Sequence, residues 1–361
     1  MISAFRRVLG VGVLLGAAGS ALTQVGQAQI GVVGSTVPAN GDVNPYGIAL
    51  VPKGFPAGVL TTGNILVSNF NNSANLQGTG STIVQITPDG TQTTFGSAAS
   101  SDANCTGGVG LTTALAILPS GWVIVGSLPT TDGTAATAQA GCLLIFNAGG
   151  YLVAGDSING LGINGPWDMA AIQIGDKAYL FVTNVLNGTV AAGGNIVNQG
   201  TVVRLVLSVA PGYDPAVESS TVIGSGFAER TDPAALVIGP TGVALGANGT
   251  LYVADSVNNR IAAIPDALTR TNTAGTGTTV FSGSPLNDPL GLIVTSEGEI
   301  LTTNGNNGLL LGTLATGSPK GKILLDDSGN PPGAGALFGL TFGPAGLYYV
   351  DDATNTLNLL K

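Results

Sequence analysis

One stretch of sequence returns five or six times along this chain, and it constrains the fold more than any other feature. Around residue 44 it reads NPYGIALVP, followed by GNILVSNFNNS and TIVQITPDG. From residue 239 it returns as GPTGVALGANGTLYVADSVNNRIAAI, and from residue 336 as ALFGLTFGPAGLYYVDDATNTLNLL. A repeat of this length cannot bury its own apolar face, so it must stack against copies of itself. Each copy opens on a turn and a Gly-apolar-Ala/Thr strand. A Gly-bearing turn then leads to a second strand that ends on a small polar residue, and an Asn-rich loop leads to a third strand and often a fourth.

The openings fall at Gly47, Ala114, Asp168, Gly242, Gly291 and Gly339, and the second strands are expected to end on Asn69, Ser127, Asn184, Asp255, Asn304 and Asp352. These make six units of about 55 residues, each long enough for four antiparallel strands. The fold class implied is all-β: a six-bladed β-propeller with four-stranded antiparallel blades. The last unit stops at Lys361 after its third strand, while Gln29–Val37 is an orphan strand-like piece. Adding that N-terminal strand to the last blade would close the ring and remove an open sheet edge. The third unit is the longest, with insertions around Leu186–Gly200 and Pro211–Asp232 that read as loops. A transmembrane β-barrel is the competing all-β reading; it calls for longer alternating strands and aromatic girdles, and aromatics are only 5% of this chain.

Residues 1–28 read as an export signal: Arg6 and Arg7, an apolar run from Val8 to Leu22, and a small-x-small site at Gly26-Gln27-Ala28. The adjacent arginines leave both the general and the twin-arginine export routes open. The expected mature chain is one propeller domain, residues 29–361, in the periplasm or outside the cell. No later apolar stretch approaches the roughly 20 residues of a membrane helix, and a monomer is expected. The mature chain keeps nine of the 11 Lys and Arg against all 20 Asp and Glu, a balance near −11 that repels phosphate backbones and makes nucleic acid a poor partner. Histidine is absent, which removes Ser–His and Cys–His nucleophile pairs, His-ligated zinc and His general bases together. Cys105 and Cys142 are the only cysteines; in an exported chain the pair is expected to be a disulfide rather than a metal or redox site.

Gly242-Val243-Ala244, Leu251-Tyr252-Val253-Ala254-Asp255 and Asn258-Asn259-Arg260-Ile261 together resemble an NHL repeat. The resemblance implies a six-bladed propeller related to the superfamily that holds the regucalcin-like gluconolactonases. Within that superfamily, peptide-amidating lyases use histidine-ligated zinc, and RNA-binding NHL domains present a basic face; this chain has no histidine and is acidic. The gluconolactonase branch holds a divalent metal through Glu, Asn and Asp, its Glu coming from a Glu-Gly-Pro-x-Trp motif. The nearest match here is Asn164-Gly165-Pro166-Trp167, with Asn in place of Glu and the spacer missing.

Two sets of equivalent positions are expected on one face of the ring. The strand-ending residues are all small and polar. They form either a ring of oxygen ligands for a hard cation such as Ca²⁺ or a set of side chains capping their own turns. Asp168, Asp255 and Asp352 are the metal-ligand candidates, because they bring charge. The residues just before the inner strands include Tyr46, Trp167 and Phe338. They form either a stacking floor for a flat or sugar-like ligand or a plug that excludes water. Asp168 stands where other units carry Gly or Ala, so with Tyr46, Trp167 and Phe338 it completes the ligand-binding candidates. No catalytic residue is identified. The reading that follows is a binding or interaction module for a small molecule or protein partner, with a divalent-metal-dependent hydrolase or lactonase of the gluconolactonase type as the alternative.

Overall fold

A computed structural model of the chain describes residues 28–99, 104–153, 155–233 and 235–361. The expected export signal therefore lies, but for Ala28, outside the described residues. An N-terminal strand, β1 (Ile30–Ser35), precedes the first blade, which comprises β2 (Val43–Leu50), β3 (Ile65–Asn71), β4 (Thr82–Ile86) and β5 (Gln92–Ser97). The second blade holds β6 (Leu111–Leu118), β7 (Trp122–Ser127) and β8 (Cys142–Phe146). The third holds β9 (Pro166–Ile174), β10 (Lys177–Asn184), β11 (Val197–Ser208), β12 (Ala216–Asp232) and β13 (Leu236–Ile238), with a one-turn helix, α1 (Thr189–Ala192), between β10 and β11. The fourth is β14 (Pro240–Leu245), β15 (Leu251–Asp255), β16 (Arg260–Ile264) and β17 (Thr278–Ser282). The fifth is β18 (Pro289–Val294), β19 (Glu299–Asn304), β20 (Leu309–Leu314) and β21 (Pro319–Leu324). The sixth is β22 (Leu337–Gly343), β23 (Gly346–Asp351) and β24 (Thr356–Leu360), and β1 pairs antiparallel with β24 as its fourth strand.

The described strands form six antiparallel sheets, an all-β propeller with almost no helix. Side chains alternate across each strand with period two, so each sheet feeds an apolar core on either side. Along β10, Leu180 and Val182 enter the core shared with the second blade, while Phe181 enters the core shared with the fourth. Along β15, Leu251 and Val253 face back toward the third blade, and Tyr252 and Ala254 face forward to the fifth. The cores thus lie between blades, which is why a single unit has no core of its own.

Two blades depart from the four-strand expectation. In the second, the segment after β8 makes only isolated bridges, Phe146 to Leu152 and Leu143 to Ile158, so its regular sheet has three strands among the described residues. In the third, the second of the two expected loop insertions, Pro211–Asp232, is largely strand, while the first holds α1 and the start of β11. β11 and β12 run on together as a long bulged hairpin, from Ser208–Ala216 to Val197–Glu229, and β13 folds back on the end of β12. The apolar run Ala235-Leu236-Val237-Ile238 is the reason: it is fully buried, and it carries the hairpin inward over the ring axis.

The Cys105–Cys142 disulfide is present, with Cα atoms 5.6 Å apart. It ties the connection entering the second blade to the start of β8, within the core between the first and second blades. Among the described residues no helix is long and apolar enough to cross a membrane.

Candidate functional site: the central channel

The inner strands β2, β6, β9, β14, β18 and β22 each end their own sheet, so each turns a free backbone edge toward the axis. Near the start of these strands the six edges converge. A Cβ added at Gly242 would meet Leu290 O, one at Gly291 would meet Phe338 O, and one at Gly339 would meet Tyr46 O. Glycine is required there by the approach of the neighbouring inner strand. Blade three alone has a long side chain at this level, Asp168.

Above this constriction the axis is filled. The Tyr46 ring stacks on Phe338 (centroids 3.7 Å apart) and on Phe70 (4.6 Å), and Trp167 lies 6.2 Å from Phe338. Trp167 is 4% exposed, and its indole Nε1–H donates to Val237 O at 3.1 Å, so β13 and its flanks form a lid on the aromatic stack. The void left among Tyr46, Phe70, Thr112, Thr113, Leu128, Trp167 and Ala235 is only about 10 Å³. Tyr46, Trp167 and Phe338 are therefore brought together as expected, but as a packed plug beneath a lid rather than as an open floor.

Below the constriction the axis is open. A cavity of about 430 Å³ is walled by the lower halves of all six inner strands and opens on the face of the first-to-second strand turns. Its side chains are Ile, Leu, Val, Ala, Met and Phe, with Thr341 and Asp168 as the polar exceptions among the described residues. Asp168 hangs at its inner end. One carboxylate oxygen accepts the Met169 N–H at 2.8 Å, and the other accepts the Val243 N–H from the free edge of β14 at 3.1 Å. Burial nonetheless outweighs these two bonds and raises its pKa to about 7.

Beside Asp168 a separate chamber of about 20 Å³ is lined by Ile48, Thr113, Gly291, Leu292, Gly339 and Leu340. That is room for one water molecule. The Thr113 hydroxyl, on a residue 4% exposed, has no hydrogen-bond partner.

The three expected metal-ligand carboxylates go to three different surroundings. Asp255 is fully buried; it accepts from Arg260 Nε at 2.7 Å and from Asn258 Nδ2. Asp352 is not the residue that ends its second strand. β23 stops at Asp351, which pairs with Leu337 as Asp255 pairs with Pro240. Asp352 is one residue further on, and the one-residue step turns it to the other face, beside the plug. Burial, then the nearby Asp351 and Asp326, raise its pKa to about 8. Among the described residues no group of three His, Cys, Asp or Glu is close enough to hold a metal ion. The donors present do not fit a shared divalent cation: Asp168 is met by two N–H groups, and Asp255 by a guanidinium.

The other strand-ending residues bond to the chain around them. Asn69 Nδ2 donates to Thr36 O, the Ser127 hydroxyl donates to Gly108 O, and Asn304 Nδ2 donates to Pro285 O. A further set of bonds comes from the residue before them. In alternate units it is a hydroxyl: Ser68, Thr183 and Thr303. Each accepts from its own inner strand (Gly47, Asp168 and Gly291 N–H) and donates to the next blade's inner strand (Thr112, Thr241 and Phe338 O). The signal was in the sequence as Ser/Thr-Asn at the end of the second strand in units one, three and five.

The NHL repeat family model matches residues 238–264, the first three strands of the fourth blade. A search of curated proteins gives no match. Solved structures with the same architecture include a gluconolactonase from Xanthomonas campestris, 15% identical, covering 94% of this chain and 93% of that one with a TM-score of 0.57. An aldose sugar dehydrogenase from Streptomyces coelicolor in its PQQ-bound form is 17% identical, covering 93% and 99% with a TM-score of 0.56. A virginiamycin B lyase from Staphylococcus aureus is 13% identical, covering 93% and 99% with a TM-score of 0.51. At these identities the likeness is one of fold.

Proposed function

We propose that this chain is an exported binding protein whose central channel takes a small, mainly apolar molecule through the mouth on the face of the first-to-second strand turns. One observation carries the reading: a cavity of about 430 Å³, walled by all six blades, with aliphatic side chains and a single carboxyl at its inner end. That volume falls in the usual range for small-molecule sites, which are mostly apolar with a few placed polar groups. Fold alone does not choose an activity, and the shared architecture is equally compatible with the second reading, a divalent-metal-dependent hydrolase or lactonase. The second reading would need Asp168, Asp255 and Asp352 to act on one ion; they lie in separate surroundings, two of them already occupied by donors.

The test is titration of the mature chain with a neutral apolar fluorophore, N-phenyl-1-naphthylamine, alongside its metal content. Saturable binding of one probe per chain, lost when Thr341→Phe fills the channel, is the expected result. No saturable binding overturns the proposal. A stoichiometric divalent ion whose chelation lowers the melting temperature would favour the lactonase reading instead.

A further inference from the structure

The inner end of the channel has a chemistry that its walls do not. Asp168 is the one titratable side chain among the described residues lining the cavity, and no cation is within hydrogen-bond reach of it. A carboxylate withdrawn from water without a counter-charge is costly. Next to it the chamber of about 20 Å³ is lined by Thr113, whose buried hydroxyl has no hydrogen-bond partner, and by Gly291 and Gly339. A space the size of one water molecule therefore lies against the carboxylate, and it adjoins an apolar channel open to solvent.

We propose that the ligand of the channel is a hydrophobic primary amine, with its ammonium group in the chamber between Asp168 and Thr113 and its apolar body along the channel. This rests on the channel being the binding site. The three N–H donors of a small cation suit a water-sized space that lies against a carboxylate with no counter-charge. The ammonium supplies the counter-charge that the half-buried carboxylate lacks. A carboxylate head would meet Asp168 with like charge, and a bulky quaternary head would not enter a chamber of this size.

The experiment compares head groups on one tail: n-octylamine, n-octanol, octanoate and trimethyloctylammonium, each titrated calorimetrically into the mature chain at pH 7. Charge-assisted hydrogen bonds are strong enough that octylamine is expected to bind about tenfold or more tighter than octanol. Octanoate is expected to be weakest, and trimethyloctylammonium weaker than octylamine by a similar factor. In Asp168→Asn the preference of amine over alcohol should collapse to within about threefold. If Asp168→Asn does not fold, the contrast between octylamine and its trimethylated form in the unaltered chain decides the matter, because it changes size while keeping charge. Equal binding of all four, or a preference for octanoate, overturns the amine proposal while leaving the channel as the site. Binding of none of the four, nor of the neutral fluorophore, overturns both.

Discussion

At one end of the channel, Tyr46, Trp167 and Phe338 are packed face to face beneath β13, and almost no space remains among them. At the other end, the same six strands stop in a mainly apolar rim around an open cavity. Strand β22 contributes one phenylalanine to each: Phe338 is 0% exposed in the plug, and Phe342 is 42% exposed at the mouth. The same side chain four residues apart along one strand thus serves as core at one end and as wall at the other. The difference comes from the third blade, whose lengthened hairpin brings Ala235–Ile238 over one mouth only.

The sharpest way to break this comparison is to truncate both phenylalanines. Phe338→Ala should cost about 3–5 kcal/mol, the usual range for a buried aromatic, whereas Phe342→Ala should cost about 1 kcal/mol or less, both measured by urea unfolding. Equal costs would mean that the plug is not a core. The disulfide closes a loop of 37 residues on the sealed face, and by the loop-entropy relation its removal in Cys105→Ala/Cys142→Ala should cost up to about 4 kcal/mol.

The two ends should also differ in their response to pH. Burial raises Asp168 to about 7 at the open end. At the sealed end, burial raises Asp288 to about 7, Glu229 to about 8 and Asp352 to about 8. Each of these groups holds its proton more tightly folded than unfolded, so the folded state binds more protons between roughly pH 4 and 8. Their contribution to stability is complete below the unfolded carboxyl range and is lost as pH rises through 7 to 8. The melting temperature should therefore fall between pH 5 and pH 9. Asp352→Asn together with Glu229→Gln should flatten that slope more than Asp168→Asn does. A modest effect is expected at the interblade hydroxyls: Thr183→Val removes a buried bridge between the third and fourth blades and should cost about 1–3 kcal/mol in urea unfolding.

Much of the frame was legible beforehand. The unit boundaries followed from the recurrent Gly-apolar strand and its Gly-bearing turn, and the inner-strand ring was marked by Gly47, Gly242, Gly291 and Gly339 with Asp168 as the exception. The NHL-like unit around Gly242 is the one that matches the family model. The disulfide followed from two cysteines with no other use. Where the structure departs from the pattern, the causes are equally local. Two aspartates side by side, Asp351 and Asp352, make the strand end ambiguous in the sequence, and in a strand a one-residue slip exchanges the two faces. The third-blade insertions read as loops because bulges interrupt their alternation, at Val197/Gly200 and Val202/Val203 among others.

What the sequence determined by itself is what short-range regularity can carry: strand phase, turn positions, six stacked units, and one carboxyl among glycines on the inner ring. Each depends on residues within a few positions of one another, where period-two alternation and glycine turns leave little choice. Which mouth of the channel is sealed was decided only in three dimensions. The bond that fastens the lid joins Trp167 to Val237, 70 residues apart, and the chamber beside Asp168 takes its walls from five blades. No local pattern encodes contacts of that range; they exist because interblade packing brings distant backbones within hydrogen-bond distance of the axis.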